Sequence, residues 1–341
     1  MINVAIIGAG EIVKTFHLPA WKKIKGIKIV GIVDKKVNKA KLLAKNYKIP
    51  KAYHNIDSLF KNEKVDAVDV CTPNKQHEKD ILFSLKNNKH VICEKPFVLN
   101  FKVFKKINYL AQKKKLVCVC AQHQRFRQSS INSKKLVDKN KLGSIYTAHI
   151  TVIFKRSNTV KNPYFTNIST AGGGPLIDLG SHFIDLAWWI MGNPKPISVF
   201  TYTSNKLAKH LKANEKTPWK KFNVEDYAFG GIRFEKKKSI TFQMSYLLNT
   251  NRDEKKIEFF GTKGGLLWPD VKLTTIRNNI VNSKSLNSKE KTSASVLEIQ
   301  HFIDSIKKNV NQKPSLKETG FMVKILEALS KSVYKNTEIP L

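Results

Sequence analysis

Ile2-Asn3-Val4-Ala5-Ile6-Ile7-Gly8-Ala9-Gly10-Glu11-Ile12-Val13 is the stretch on which the fold turns. Six β-prone, mostly apolar residues run straight into a glycine turn, and a helical pattern follows as far as Trp21. Strand, glycine turn and helix in that order are the context a dinucleotide fingerprint requires. Gly8 makes the tight turn. Gly10 lets the backbone approach a pyrophosphate, which rests with Glu11 and Ile12 on the first turn of the helix. Val13 stands where a third glycine usually permits close helix–strand packing, so a slightly displaced helix is expected. The fingerprint by itself is a weak signal.

The next apolar run, over 27–33, ends at Asp34, 24 residues after Gly10. The acid that accepts from the adenosine ribose hydroxyls stands about 20 residues on. An acid here repels a 2′-phosphate, so NAD is favoured over NADP; Lys35 and Lys36 soften that preference by offering cations.

Further units follow at a regular beat. A helix is predicted over 37–47, a strand over 65–70 ending at Cys71-Thr72-Pro73-Asn74, and a helix over 75–86. A strand over 90–93 ends at Glu94-Lys95-Pro96, and a helix over 101–113 and a strand over 116–121 complete the run. Strands alternating with helices mean βαβ units and a parallel sheet. Residues 1–121 are therefore expected to form a doubly wound Rossmann domain. Thr72, Pro73, Asn74, Glu94 and Lys95 then lie at strand ends on the glycine-turn edge, where such sheets bind ligands. Alone, Glu94-Lys95 would be a solvated turn. At a strand end facing a ligand, a lysine loses solvation and can exchange a proton.

Beyond residue 121 the pattern changes. A helix is predicted from His123 to 138, and strands over 145–154, 197–202, 228–234, 239–246 and 255–260 alternate apolar and polar residues. Short polar turns between them indicate hairpins. Residues 122–341 are expected to form an α+β domain with an open, mostly antiparallel sheet. Loops are expected over 206–222 and 279–292, and two helices, over 295–309 and 316–331, follow. Within this domain Gly172-Gly173-Gly174-Pro175 opens a helix, with Gly174 as cap and Pro175 in the first turn. Asp178 and His182 stand four apart and share a face, and Asp185 and Trp189 extend it. A lone histidine on such a helix is usually structural. A histidine paired with a carboxylate beside a glycine run can be oriented and made more basic by it. The same pair could ligate a metal, but no convincing third ligand accompanies it.

The formal net charge is +35, yet only six of the 61 basic residues are arginine. Arginine is the residue that grips phosphates bidentately. The lysines are spread over every segment, which reads as a chain-wide bias on solvated faces rather than a nucleic-acid footprint. No apolar run is long enough to span a bilayer, and the N-terminal run carries no secretory pattern, so a cytoplasmic protein is expected. Cys71, Cys93, Cys118 and Cys120 form no C-x-x-C pair and are expected to be buried thiols.

Taken together, these residues resemble the Gfo/Idh/MocA oxidoreductases, the family of glucose–fructose oxidoreductase and inositol dehydrogenase, over nearly the whole chain. The likeness rests on Gly8-Ala9-Gly10 with His17-Leu18-Pro19, on Asp34, on Thr72-Pro73-Asn74 with His77, on Glu94-Lys95-Pro96, and on Gly173-Gly174 with Asp178, Gly180, His182 and Asp185. It implies NAD(P)-dependent oxidation of a sugar or cyclitol hydroxyl, or reduction of the ketone. It also implies a homodimer or homotetramer built through the second domain's sheet. By position, Lys95, Asp178 and His182 match the catalytic set. Arg125 matches a position that often contacts substrate, and His77 and Glu94 fall among the cofactor-binding positions. The hydroxyl proton is expected to pass to His182, held by Asp178, with Lys95 donating to the substrate oxygen. Two rivals share the fold: an NAD-dependent glycosidase and a non-catalytic sensor of NAD or sugar.

Overall fold

The computed structural model describes residues 1–214 and 222–341, which divide into two compact units. The first comprises Met1–His123 and Thr292–Val323, the second Gln124–Lys291 and Lys324–Leu341. Thr292–Val323 thus belongs with the first unit, a return of the chain that a division at residue 121 leaves out.

In the first unit β1 (Ile2–Ile7) leads through the glycine turn into a helical run. The middle of that run is a π turn, Val13–His17, and its end is α1 (Leu18–Trp21). Then come β2 (Ile27–Val33), α2 (Val37–Tyr47), β3 (Ala52–Tyr53), α3 (Ile56–Asn62), β4 (Ala67–Val70), α4 (His77–Lys86), β5 (His90–Cys93), α5 (Phe101–Lys113) and β6 (Cys118–Cys120). The six strands are all parallel, in the order β3-β2-β1-β4-β5-β6. This is the expected doubly wound sheet, and the order reverses between β1 and β4, where a ligand crevice opens. Alternate residues feed two cores. Val4, Ile6, Ile32, Ile92 and Val119 pack with Trp21, while Ala5, Ile7, Val68, Val91, Cys118 and Cys120 pack on the other side. Burial on both faces explains the near-continuous apolar runs.

Val13 is fully buried in the contact between helix and strand. The helix widens there, and the Leu18 N–H reaches back five residues to Val13 O. Such single wide turns are rare and concentrate at functional sites.

The second unit begins with α6 (Gln128–Asp138), β7 (Ile145–Ile153), α7 (Pro163–Thr166), α8 (Ile168–Ala171), α9 (Pro175–Asp178) and α10 (Gly180–Ile190). It continues with β8 (Pro196–Ser204), α11 (Lys206–Asn214), β9 (Tyr227–Phe234), β10 (Lys238–Ser245), β11 (Glu254–Gly261), β12 (Gly265–Trp268), β13 (Lys272–Arg277) and β14 (Ile280–Ser285). After α12 (Ala294–Lys308) and α13 (Leu316–Lys335), β15 (Ile339–Pro340) closes the sheet order β14-β13-β12-β11-β7-β10-β9-β8-β15. Among the described residues of this sheet, only β7 and β10 pair in parallel. One face of this sheet carries α9 and α10. The other exposes Tyr146, Phe200, Tyr202, Phe229 and Phe260. Phe200 and Phe229 meet edge-on across neighbouring strands, and a side chain at Gly231 would strike the Phe200 ring at 2.5 Å.

Two of the expected loops are corrected. Residues 206–214 form α11, anchored by the buried Ala208 and Leu211 and by Asp226, whose carboxylate accepts from Ala208 N at 2.6 Å. The remainder of that expected loop, 215–221, lies outside the described residues. Within 279–292, Ile280–Ser285 is a strand paired antiparallel with β13, and the turn at Asn278 and Asn279 takes left-handed φ of 48° and 61°. Asparagine tolerates that geometry, which matches the twist of a hairpin. No helix among the described residues is long and apolar enough to cross a membrane.

The return of the chain is held by apolar packing. Ile299, Phe302 and Ile303 of α12 enter the core around Trp21, and the Trp21 and Phe302 rings meet edge-on at 6.4 Å.

Candidate active site

In the first unit the turn after β1 sits tightly against the end of β4. Gly8 has φ +108°, and a Cβ there would lie 2.5 Å from Cys71 O. Only glycine fits both the dihedral and the space. At Gly10 the reverse holds: a Cβ would meet nothing within 4 Å. That open backbone, opposite the end of β4, is the approach a diphosphate needs. Asp34 is joined to this turn, since one carboxylate oxygen accepts from Ala9 N at 2.9 Å and the other from Lys36 N at 2.8 Å. Each oxygen keeps a second lone pair for a ribose hydroxyl. Lys35 is exposed beside it, and Glu11 is exposed and accepts from Thr15 Oγ1 at 2.9 Å. These residues fit a dinucleotide.

The turn after β4 is braced. Thr72 Oγ1 donates to Asp80 at 2.7 Å, and Gln76 donates to the same carboxylate at 3.0 Å. His77 is fully buried, with its ring nitrogens 2.9 Å from Pro96 O and 2.8 Å from Thr72 O. It therefore ties the two turns that carry Thr72-Pro73-Asn74 and Glu94-Lys95-Pro96 to each other. Lys95 is half-buried at the end of β5.

Beneath these turns lies a cluster of charged groups. His17, at the end of the π turn, places Nδ1 2.8 Å from Asp69 and Nε2 2.9 Å from Glu94. Trp21 Nε1 donates to Asp69 at 2.6 Å, and Cys71 Sγ to the same carboxylate at 3.3 Å. The second Glu94 oxygen accepts from Lys95 N at 3.0 Å. Burial works against a charge on His17, but the Asp69 carboxylate outweighs it and raises the imidazole well above its ordinary value. Burial likewise opposes the Glu94 charge; the His17 hydrogen bond and charge, then Lys95 and His123, outweigh it and hold Glu94 at about 2. Glu298 of α12 is pushed well above the ordinary carboxylate range by burial and by the Glu94 charge. His17, Asp69 and Cys71 bring three donor atoms within 4.8 Å of one another. Direct hydrogen bonds already join them, and the Trp21 indole occupies a further Asp69 lone pair.

In the second unit Asp178 ends α9 and His182 lies four residues on in α10, with Leu179 between the two helices, so the single expected helix is divided in two. Every α10 residue except His182 is buried, which makes this imidazole the helix's partly accessible group. Tyr246 is fully buried and donates to Asp178 Oδ2 at 2.8 Å. Burial first, and then the Asp178 charge, raise its phenol well above the ordinary value, so it stays a donor. At the start of α9 the Glu225 carboxylate accepts from Leu176 N at 3.1 Å, and a Cβ on Gly174 would meet Glu225 O at 2.2 Å. The glycine run is thus used to bring β9's approach against the helix start.

Arg125 grips Asp185 with a bidentate pair, Nε to Oδ2 and one terminal nitrogen to Oδ1, both at 2.7 Å, and its guanidinium lies 5.6 Å over the Trp189 ring. Both side chains are almost wholly buried. The guanidinium fork of this expected substrate contact is turned to Asp185.

Sequence reasoning did not single out Asp69, Tyr246 or Glu225. Asp69 carried a signal: an acid inside an apolar strand must be paired when buried. Tyr246 continues the inward alternation of Ile240, Phe242 and Met244, so it reads as plain core.

Two family models match the chain. "Oxidoreductase family, NAD-binding Rossmann fold" covers residues 2–122 and "GFO/IDH/MocA C-terminal domain" residues 132–267. The chain is 28% identical to D-glucoside 3-dehydrogenase of Escherichia coli over 267 residues, 77% of this chain and 76% of that protein. It is 26% identical to myo-inositol 2-dehydrogenase of Thermotoga maritima over 280 residues, 81% of this chain and 77% of that one. An oxidoreductase from Agrobacterium radiobacter, solved with NAD+, L-tartaric acid and magnesium, shares the fold at TM-score 0.84 and 18% identity, covering 99% of this chain and 98% of that one.

Proposed function

The chain belongs to the GFO/IDH/MocA oxidoreductases, and from that membership we propose that it is an NAD-dependent dehydrogenase. It moves a hydride between a nicotinamide and a hydroxyl or ketone carbon of a sugar or cyclitol. The observation that carries the reading is the open Gly10 backbone beside an Asp34 carboxylate tied to the same turn. Relatives named as sugar and cyclitol dehydrogenases support the substrate class.

Bound nicotinamide supplies the hydride acceptor. The chain must then handle the hydroxyl proton. His182 takes it, with Asp178 orienting the ring and Tyr246 fixing Asp178. Lys95 donates to the substrate oxygen. Gly8 and Gly10 admit the diphosphate, and Asp34 accepts from the ribose hydroxyls and disfavours a 2′-phosphate.

NADH and NADPH fluorescence titrations, followed by a panel of sugars, inositols and nucleotide-sugars read at the nicotinamide absorbance, test this reading. NADH is expected to bind tighter than NADPH, and Asp34→Ser to shift the preference towards NADPH. Binding without turnover of any substrate would favour a sensor. Glycoside cleavage that needs NAD would favour the glycosidase. An unshifted preference in Asp34→Ser would remove Asp34 from cofactor selection.

The exposed aromatic face of the nine-stranded sheet supports a homodimer or homotetramer. The buried cysteine thiols fit a reducing compartment, which supports a cytoplasmic location. Light scattering at physiological salt is expected to give a mass of two or four chains, unchanged by added DNA or RNA, and Phe229→Lys is expected to lower it to one. A monomeric wild type would remove the sheet face as an interface. A tight, salt-resistant complex with nucleic acid would overturn the view of the lysines as solvated surface.

A further inference from the structure

The most unusual chemistry outside the proton-handling residues is the buried set of His17, Asp69 and Glu94. Its place is informative. His17 comes from the π turn after β1, Asp69 from the end of β4, and Glu94 follows β5 directly before Lys95. All three are nearly inaccessible to water, at 4%, 0% and 8% exposure. An imidazole with carboxylates on both nitrogens donates twice only as imidazolium. A cation between two anions in a dry site resists rearrangement, because removing any member leaves a buried charge uncompensated.

We propose that His17 is a positioning residue for the reaction: through Glu94 it fixes the backbone that carries Lys95. The inference rests on the reading of Lys95 as a proton-handling group and extends it to why that lysine is held in place. The geometry forms a short relay. His17 Nε2 donates to one Glu94 oxygen at 2.9 Å, and the other Glu94 oxygen accepts from Lys95 N at 3.0 Å. On the far side of that peptide, His77 lies 2.9 Å from Pro96 O. The Lys95-Pro96 unit is therefore gripped before and behind. Asp69, itself held by Trp21 and Cys71, anchors the other end of the imidazolium.

The titratable groups packed against His17 and Glu94 come from several elements. Asp69 and Cys71 face His17 from the β4 end, and Lys95, His123, His77 and Cys93 face Glu94. Glu298 faces Glu94 from α12, and burial and the Glu94 charge raise its carboxyl well above the ordinary value. A purely space-filling cluster would need none of this charge matching.

The test compares His17→Gln, Glu94→Gln and Lys95→Ala with wild type, reading NADH affinity, kcat, KM and the pH profile of kcat. Glutamine at 17 reaches one carboxylate and carries no charge; glutamine at 94 keeps the shape and one acceptor. His17→Gln is expected to bind NADH near wild type, and both variants are expected to keep KM. Both are expected to lose kcat by about 10- to 100-fold, the scale of a catalytic group misplaced by an ångström or less, and to shift the pH profile. A role in stability alone would lower the melting temperature and leave kcat and its profile unchanged. Should His17→Gln fail to fold, Glu94→Gln decides, being the milder change. Wild-type kcat and pH profile in the folded variants, beside a slow Lys95→Ala, overturn the positioning role and leave the dehydrogenase reading standing. Full turnover in Lys95→Ala overturns both.

Discussion

Lys95→Ala is expected to lower turnover about 10²- to 10⁴-fold, the usual worth of a positioned acid or base, while NADH affinity stays near wild type. The two effects are expected to separate because the proposed dinucleotide contacts, at Gly8, Gly10 and Asp34, lie elsewhere. His182→Ala is expected to behave alike, since His182 is the partly accessible group of an otherwise buried helix. The double variant is expected to lose far less than the product of the two, because residues that act as a unit are non-additive. Rates on the best substrate, read beside NADH titrations, check this. Turnover of Lys95→Ala close to wild type would remove the lysine from proton handling. Loss of NADH binding instead would make it a cofactor anchor and leave the proton to His182 alone.

The second large effect falls on stability. Asp185→Ala removes the carboxylate from a buried guanidinium that it holds through two 2.7 Å bonds. Breaking a buried pair by deleting one partner costs about 3–5 kcal/mol, a large part of a domain's net stability. Replacing both residues, Arg125→Met with Asp185→Leu, is expected to recover most of that loss, because an apolar pair has no charge to desolvate. Urea unfolding of the three variants measures it. A loss in Asp185→Ala below about 1 kcal/mol, the scale of an exposed pair, would mean that water reaches the guanidinium.

The Rossmann half was legible because a sheet buried on both faces leaves unbroken apolar runs, and each run ended at a turn residue with a chemical use. Asp34 could be placed from spacing alone. The alternation of Cys118 and Cys120 against Val119 was also readable, and the two sulfurs enter one core while the valine enters the other. Less legible were elements whose stability comes from partners. All six residues of β14 are exposed, so no apolar pattern announces it; it exists because β13 offers a register and Asn278-Asn279 a hairpin turn. In α11 only Ala208 and Leu211 turn inward, too few to outweigh the lysines around them. The membership of Thr292–Val323 in the first unit was hidden because an amphipathic helix records that it has a buried face, not against which core.

At the candidate site the sequence pointed to the residues proposed to react, and not to the side chains that support them. Lys95, Asp178 and His182 stand at positions where a motif shows. Tyr246 and Glu225 act across long separations in sequence, with Tyr246 standing 68 positions after Asp178, and no local spacing encodes such a bond. Arg125 was assigned by its position in the family resemblance. Its partner, Asp185, was visible as part of a helix face and of that resemblance, and not as an ion-pair partner.

The two borders of the nine-stranded sheet differ in a way that limits how copies can join. On one side β15 is two residues long and contains Pro340, which has no N–H to offer a further strand. On the other, β14 runs six residues, and among the described residues no strand pairs with its outer backbone. Growth of a fibre by strand addition requires an open border at both ends of every subunit. With one border blunted, a β14-to-β14 contact terminates after two copies. Strand addition along this sheet is therefore expected to give a closed pair at most, with no growth into a fibre from its borders.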